Sequence, residues 1–277
     1  MTAEIAIQTS PLSREDRAAL AGAVELLEHT SLATRLTNLL GRQIELAGRL
    51  VPRPARALAA RATTLALRAA LQSTLKYMDA RQRPASRYFH KALAAGSGAI
   101  GGAFGFSALP VELPASTIVM LRSIADIARA EGEDIASPET ALACLQVFAL
   151  GGHSPDDDNL ESGYFAIRVV LAQTIAEAAK YLAHKGVVDQ AAPILVRLVA
   201  MIGARFGVVV SQKLAAQTIP VLGAIGGAAV NYAFVDHFQS VAHGHFTVRR
   251  LERLHGAAVV RAEYEKLRLK DVSPGGR

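Results

Sequence analysis

Two stretches of this chain are almost free of charge, and that limits what it can fold into more than any other feature. Residues 214–235 contain no Asp, Glu, Lys or Arg, and residues 94–121 contain one such group, Glu112. Runs of that length must be covered by something apolar: a protein core, a bilayer or a partner. Alanine and glycine, which contribute little to membrane insertion, make up much of both runs. Residues 214–235 also hold Gln217, Thr218, Pro220 and Asn231, and residues 94–121 are broken by Pro110 and Pro114. Buried helices in a soluble bundle are therefore preferred over a membrane hairpin. Glycines recur in i, i+4 pairs: Gly98 and Gly102, Gly101 and Gly105, Gly203 and Gly207, Gly223 and Gly227. Each glycine inside a helix costs about 0.5–1 kcal/mol relative to alanine. Small residues at this spacing let backbones approach closely, so the expectation is tight contact with another helix, a lipid or a partner.

The composition agrees with a packed chain. Hydrophobic residues make up 51%, charged residues 19%, and the mean hydropathy is +0.25, which excludes a disordered chain. The single cysteine, Cys144, excludes a disulfide scaffold. Strong helix formers dominate and period-two alternation is scarce. The fold class expected is all-α, a multi-helix bundle with glycine-rich, closely packed central helices. Ser13-Arg14-Glu15-Asp16 has the form of a capping box, followed by Leu20, Val24 and Leu27 at helical spacing. Pro54 predicts the first turn of a helix running to about Met78, and Arg81 to Pro84 a break before a helix through His90 and Lys91. A helix is expected from Pro114 to Ala130 with Gly132 as its stop, and Arg122, Asp126 and Arg129 share one of its faces. Ser137-Pro138-Glu139 starts another, stopped by Gly151 and Gly152; Ser162 to Ala183 and Gln190 to Gly203 also read as helical. The chain thus divides into a loose tail (1–12), a basic helical region (13–84), a helical domain (85–270) and a second tail (271–277).

Charge is unevenly spread. From Arg35 to Lys91 there are 12 basic and two acidic residues, and from Glu131 to Glu161 eight acidic and no basic ones. Arg35, Arg42, Arg49 and Arg56 repeat every seven residues. This region suits either an anionic lipid surface, at about 1 kcal/mol per basic side chain, or water. It lacks interleaved aromatics and any nucleic-acid motif, so nucleic acid is not an expected partner. Gly96-Ser97-Gly98-Ala99-Ile100-Gly101 satisfies G-x-G-x-x-G, but no βαβ unit surrounds it and no dinucleotide site is expected. His237, His243 and His245 cluster late, yet the i, i+2 spacing of the last two makes them diverge on a helix, so no metal is expected. The triple Asp156–Asp158 reads as a solvated loop that could attract a hard cation. Cys144, among Leu142, Leu145 and Phe148, reads as core. Lys213 and Asn231 lie in or beside an uncharged run and need partners, for which Glu112, Asp126 and Asp236 have the chemistry. Together with Arg122 these six are the candidates for a polar network, or a polar pocket that grips a lipid head group or small ligand.

The run from Gly98 to Gly132, with Pro110-Val111-Glu112-Leu113-Pro114, Arg122-Ser123-Ile124-Ala125 and Glu131-Gly132, resembles the central block of the EcsC protein family. Lys213, the run Ile219 to Asn231 and the later Arg249-Arg250 resemble its C-terminal block. The resemblance covers residues 85–255. It implies a bacterial, mostly helical protein, cytoplasmic and peripheral at the inner membrane, with a transporter as a candidate partner. It carries over no catalytic residue and no cofactor. The N-terminal sequence lacks a basic start with an apolar run, which agrees with a cytoplasmic location. Two functions are expected. The first is a non-enzymatic protein that binds lipid or a membrane-protein partner at the cytoplasmic face. The alternative is a hydrolase-type enzyme whose pocket gathers Glu112, Asp126, Lys213 and Asp236.

Overall fold

Local chemistry sets most helix ends in the computed structural model, which describes residues 12–29, 31–40, 53–79, 109–152, 163–184, 189, 191–217 and 223–272. Ser13 caps α1 (Arg14–Val24), its Oγ accepting from the Asp16 amide at 3.0 Å. A π-helical turn (Glu25–His29) leads to α2 (Leu32–Leu40), and α3 spans Arg53–Asp79 with Pro54 in its first turn. The next helix, α4 (Leu109–Ala130), ends in a Schellman arrangement. Gly132 takes φ +79°, its amide donates to the Arg129 carbonyl, and the Glu133 amide reaches the Ala128 carbonyl at 3.0 Å. Ser137 caps α5 (Pro138–Leu150), accepting from the Thr140 amide at 3.1 Å. Then follow α6 (Tyr164–His184), α7 (Pro193–Gln217), α8 (Gly223–His255) and α9 (Ala257–Val272). Every regular element among the described residues is helical.

The 33 residues of α8 form the spine, about 50 Å long at 1.5 Å per residue, against which α1, α2, α4, α5, α7 and α9 pack. Phe148 of α5, Phe206 of α7 and Phe234 and Phe238 of α8 form an aromatic cluster with centroids 5.0–6.1 Å apart. One buried cluster runs from Leu20 to Tyr264 and includes Leu67 and Leu71 of α3. The basic N-terminal region therefore shares its core with the rest of the chain.

Two boundaries differ from the sequence reading. α4 begins at Leu109 rather than Pro114, because burial of Leu109, Glu112 and Leu113 holds the turn that contains both prolines. α7 continues past Gly203 to Gln217, with Phe206, Val209, Val210 and Leu214 buried. Residues 214–235 are consequently split between two helices and are not one segment. The glycine pairs also behave differently. A Cβ on Gly203 would meet only Leu67 Cδ1, at 3.4 Å, and one on Gly207 would meet nothing within 4 Å. The closest approaches are at Gly151 and Gly152, where a Cβ would lie 2.5 Å from the Phe238 ring and from the Arg205 carbonyl oxygen, and at Gly244, 2.7 Å from Leu27 Cγ. The glycines of 94–108, the helix expected through His90 and Lys91, the loop Asp156–Asp158, and Arg42 and Arg49 lie outside the described residues.

Candidate functional site

The residue types that demand partners are the place to start. Lys213, in the last turns of α7, is fully buried. Its Nζ donates to Glu112 Oε1 of α4 and to Asn231 Oδ1 of α8, both at 2.7 Å, and lies 4.8 Å from the Phe234 ring centroid. Glu112 sits in the first turn of α4, where the helix dipole favours a carboxylate. Burial pushes the Lys213 ammonium below its usual range and the adjacent Glu112 pulls it back only in part. This triad ties three helices together at one buried point.

The remaining candidates are elsewhere. Asp126 is 14 residues, about 21 Å, further along α4 and pairs with Arg129 at 2.9 Å, while Arg122 is exposed on the same helix. Asp236 binds Arg35 of α2 in an ion pair, and Arg35 also donates to Ser240 Oγ at 2.8 Å. Arg35 is thus held within the fold, and it does not continue a free basic stripe. Of the four residues expected in one pocket, Glu112 and Lys213 meet in the buried triad, while Asp126 pairs with Arg129 and Asp236 with Arg35. His237 donates through Nε2 to the Gly151 carbonyl at 2.8 Å, His243 is half-buried, and His245 is buried one helix face away. No cluster of three His, Cys, Asp or Glu able to hold a metal occurs among the described residues. Cys144 is buried, which pushes its thiol up to about 12.

Two networks escaped the sequence reading. Glu133 accepts two bonds from Arg249, at 2.8 and 3.0 Å, and also pairs with Arg253; Arg250 Nε donates to Glu131 Oε2 at 2.8 Å. This clasp joins the Glu131-Gly132 turn to the last turns of α8. In the second network Arg168 of α6 forks onto Glu252 at 2.8 and 3.0 Å and reaches Tyr164 Oη at 3.3 Å. Tyr164 Oη is 2.8 Å from His245 Nδ1 and in position to donate to it. Nε2 of His245 is buried without a partner. Burial, then the charges of Arg168 and Arg249, hold His245 well below its ordinary value, so the ring is neutral near pH 7. The i, i+4 spacing of Tyr164 with Arg168, and the i+4 and i+7 spacing of His245 with Arg249 and Glu252, were readable signals of shared faces.

A long concavity lies apart from these buried groups. A groove of about 910 Å³ runs between α3 and α7. Arg56, Ala60, Thr64, Arg68 and Gln72, spaced every four residues, form its α3 side. Leu195, Val199, Gly203, Gly207 and Ser211 form its α7 side. Among the described residues, Arg56 and Arg68 are exposed with no ion-pair partner, and no carboxylate lines the groove. A second concavity of about 430 Å³ flanks α7 on its α6 side, lined by Val170, Leu171, Met201 and Arg205, with Ala204 common to both. Between them α7 is unusually apolar. Pro193–Ala216 is long and apolar enough to cross a membrane: an 18-residue window within it has a mean hydropathy of 2.0, and 39% of that window is buried. Val170 beside it is 67% exposed.

No curated protein and no solved structure matches this chain. The model of the EcsC protein family matches residues 26–251, which extends the resemblance N-terminally through α2 and α3 to Leu26. With the glycine-stopped α4, the buried Lys213 triad and the Arg249-Arg250 clasp all inside the matched span, the chain belongs to the EcsC protein family.

Proposed function

We propose that this protein is a non-enzymatic helical protein that binds lipid at the cytoplasmic face of the inner membrane, as a peripheral rather than a spanning protein. One observation carries the reading: α7, the one described helix long and apolar enough to cross a membrane, leaves Val196, Ala200 and Ala204 exposed along the groove, where α3 presents two arginines with no ion-pair partner among the described residues. An apolar face edged with cations suits the boundary between head groups and acyl chains. Arg56 and Arg68 would contribute roughly 1 kcal/mol each near an anionic surface, and each valine buried there about 1.5–3 kcal/mol. α7 packs on α2, α3, α5, α6 and α8 and carries the buried Lys213 ion pair, which favours lying on a bilayer over crossing it. No acid group is among the described residues lining the groove, and the acidic candidates are engaged in separate contacts, which gives the enzymatic alternative no support.

Flotation with vesicles tests the reading. The protein should rise with vesicles containing anionic lipid at low salt, rise less at 1 M salt, where the Debye length falls to about 3 Å, and stay behind with neutral vesicles. If it fails to rise with anionic vesicles at low salt, the membrane reading is wrong.

A further inference from the structure

We propose that the groove between α3 and α7 is a binding site for a single-chain anionic lipid, its acyl tail along the groove and its head against Arg56 or Arg68. The inference builds on the membrane reading, since a bilayer is the source of such a ligand, and it specifies what the same face takes up.

Length, lining and charge each point to that ligand. From Arg56 to Gln72 the groove follows 16 residues of α3, about 24 Å at 1.5 Å per residue. One leaflet supplies roughly half of the ~30 Å hydrocarbon thickness, so a whole acyl chain fits lengthwise. Its volume, about 910 Å³, lies at the upper end of ligand pockets, ~300–1,000 Å³. The furrow between two neighbouring helices is one chain wide, since helix axes pack about 8–10 Å apart. Its hydroxyls are turned inward: Thr63 donates to the Ala59 carbonyl at 2.8 Å, Thr64 to Ala60 at 3.2 Å and Ser211 to Gly207 at 2.8 Å. From Ala60 to Thr64 on α3 and along α7 the walls therefore present mainly methyl groups and methylenes to the tail. Gly207 keeps the floor low, because a Cβ there would project into open space. Among the described residues of the lining the only charges are the two guanidiniums, so the head group that complements them is an anion.

The test uses the full-length protein without vesicles and a fluorescent C16 fatty acid, held as monomers. Saturable one-to-one binding is expected. Palmitate or palmitoyl lysophosphatidic acid should displace the probe at least tenfold better than hexadecanol; whichever anion is stronger identifies the head as carboxylate or phosphate. Gly207→Leu fills the groove while improving helix propensity, so it should fold as well as the parent and lose at least tenfold in probe affinity. Arg56→Gln with Arg68→Gln should abolish the preference for the anions over hexadecanol. Absence of saturable binding, equal displacement by hexadecanol, or unchanged affinity in Gly207→Leu would overturn the proposal. Gly207→Leu leaves the arginines and the exposed valines in place, so it should still float with anionic vesicles. Flotation without probe binding sinks the groove site alone, and probe binding without flotation sinks the membrane reading alone.

Discussion

Replacing Lys213 by methionine isolates the buried triad. Met matches the stem of lysine but removes the ammonium, leaving the Glu112 carboxylate, 5% exposed, without its cation and Asn231 Oδ1 without that donor. Breaking a buried ion pair on one side costs about 3–5 kcal/mol, because one charge stays buried and uncompensated. At roughly 2–4 °C per kcal/mol for a domain of this size, the melting temperature should fall by about 6–20 °C. Replacing both partners, Glu112→Met with Lys213→Met, removes the uncompensated charge and should recover most of the loss, giving a coupling energy of about 2 kcal/mol or more in the cycle. Urea unfolding followed by far-UV circular dichroism reads Lys213→Met, Glu112→Met alone and the double variant at pH 7. If Lys213→Met alone is within about 0.5 kcal/mol of the parent, or the double variant is as unstable as the sum of the singles, the triad does not hold α4, α7 and α8 together as argued.

Two further outcomes follow from the packing. His245 is held neutral by burial and by the nearby Arg168 and Arg249, with Tyr164 and Glu252 in the same network. Its folded pKa is depressed, so the unfolded chain binds the extra proton first; stability should be full above about pH 6.5 and decline below it, by up to ~1.4 kcal/mol per pH unit. His245→Phe should flatten that decline between pH 7 and 5 in urea titrations, and an unchanged slope would refute the assignment. Gly152→Ala drives a Cβ against the Arg205 carbonyl oxygen and should destabilise by about 1–3 kcal/mol, seen as a lower urea midpoint; a midpoint equal to the parent's would show that the two helices part freely there.

Much of this architecture was legible without coordinates. The caps at Ser13 and Ser137 and the stop at Gly132 are local hydrogen-bond chemistry, complete within five residues of sequence, and they appear as read. So does the need of Lys213 and Asn231 for an acidic partner, because a buried ammonium without one is prohibitive. Which carboxylate answered was not legible: Glu112, Asp126 and Asp236 are chemically equivalent, and only the crossing of α4 and α8 over the end of α7 puts Glu112 at 2.7 Å and sends Asp236 to Arg35. The start of α4 at Leu109 was hidden for a similar reason. Local propensity argues against a helix through Pro110 and Pro114, and burial from other elements overrides it. The groove was hidden most completely. An i, i+4 glycine pair reads as close helix contact, and no local signal shows that α3 leaves Gly207 facing open space in a groove that also carries two arginines. Composition decided that these residues would be helical and apolar, because period and propensity are properties of neighbours in the chain. Tertiary structure decided which of their faces would be covered, because coverage depends on elements more than a hundred residues away.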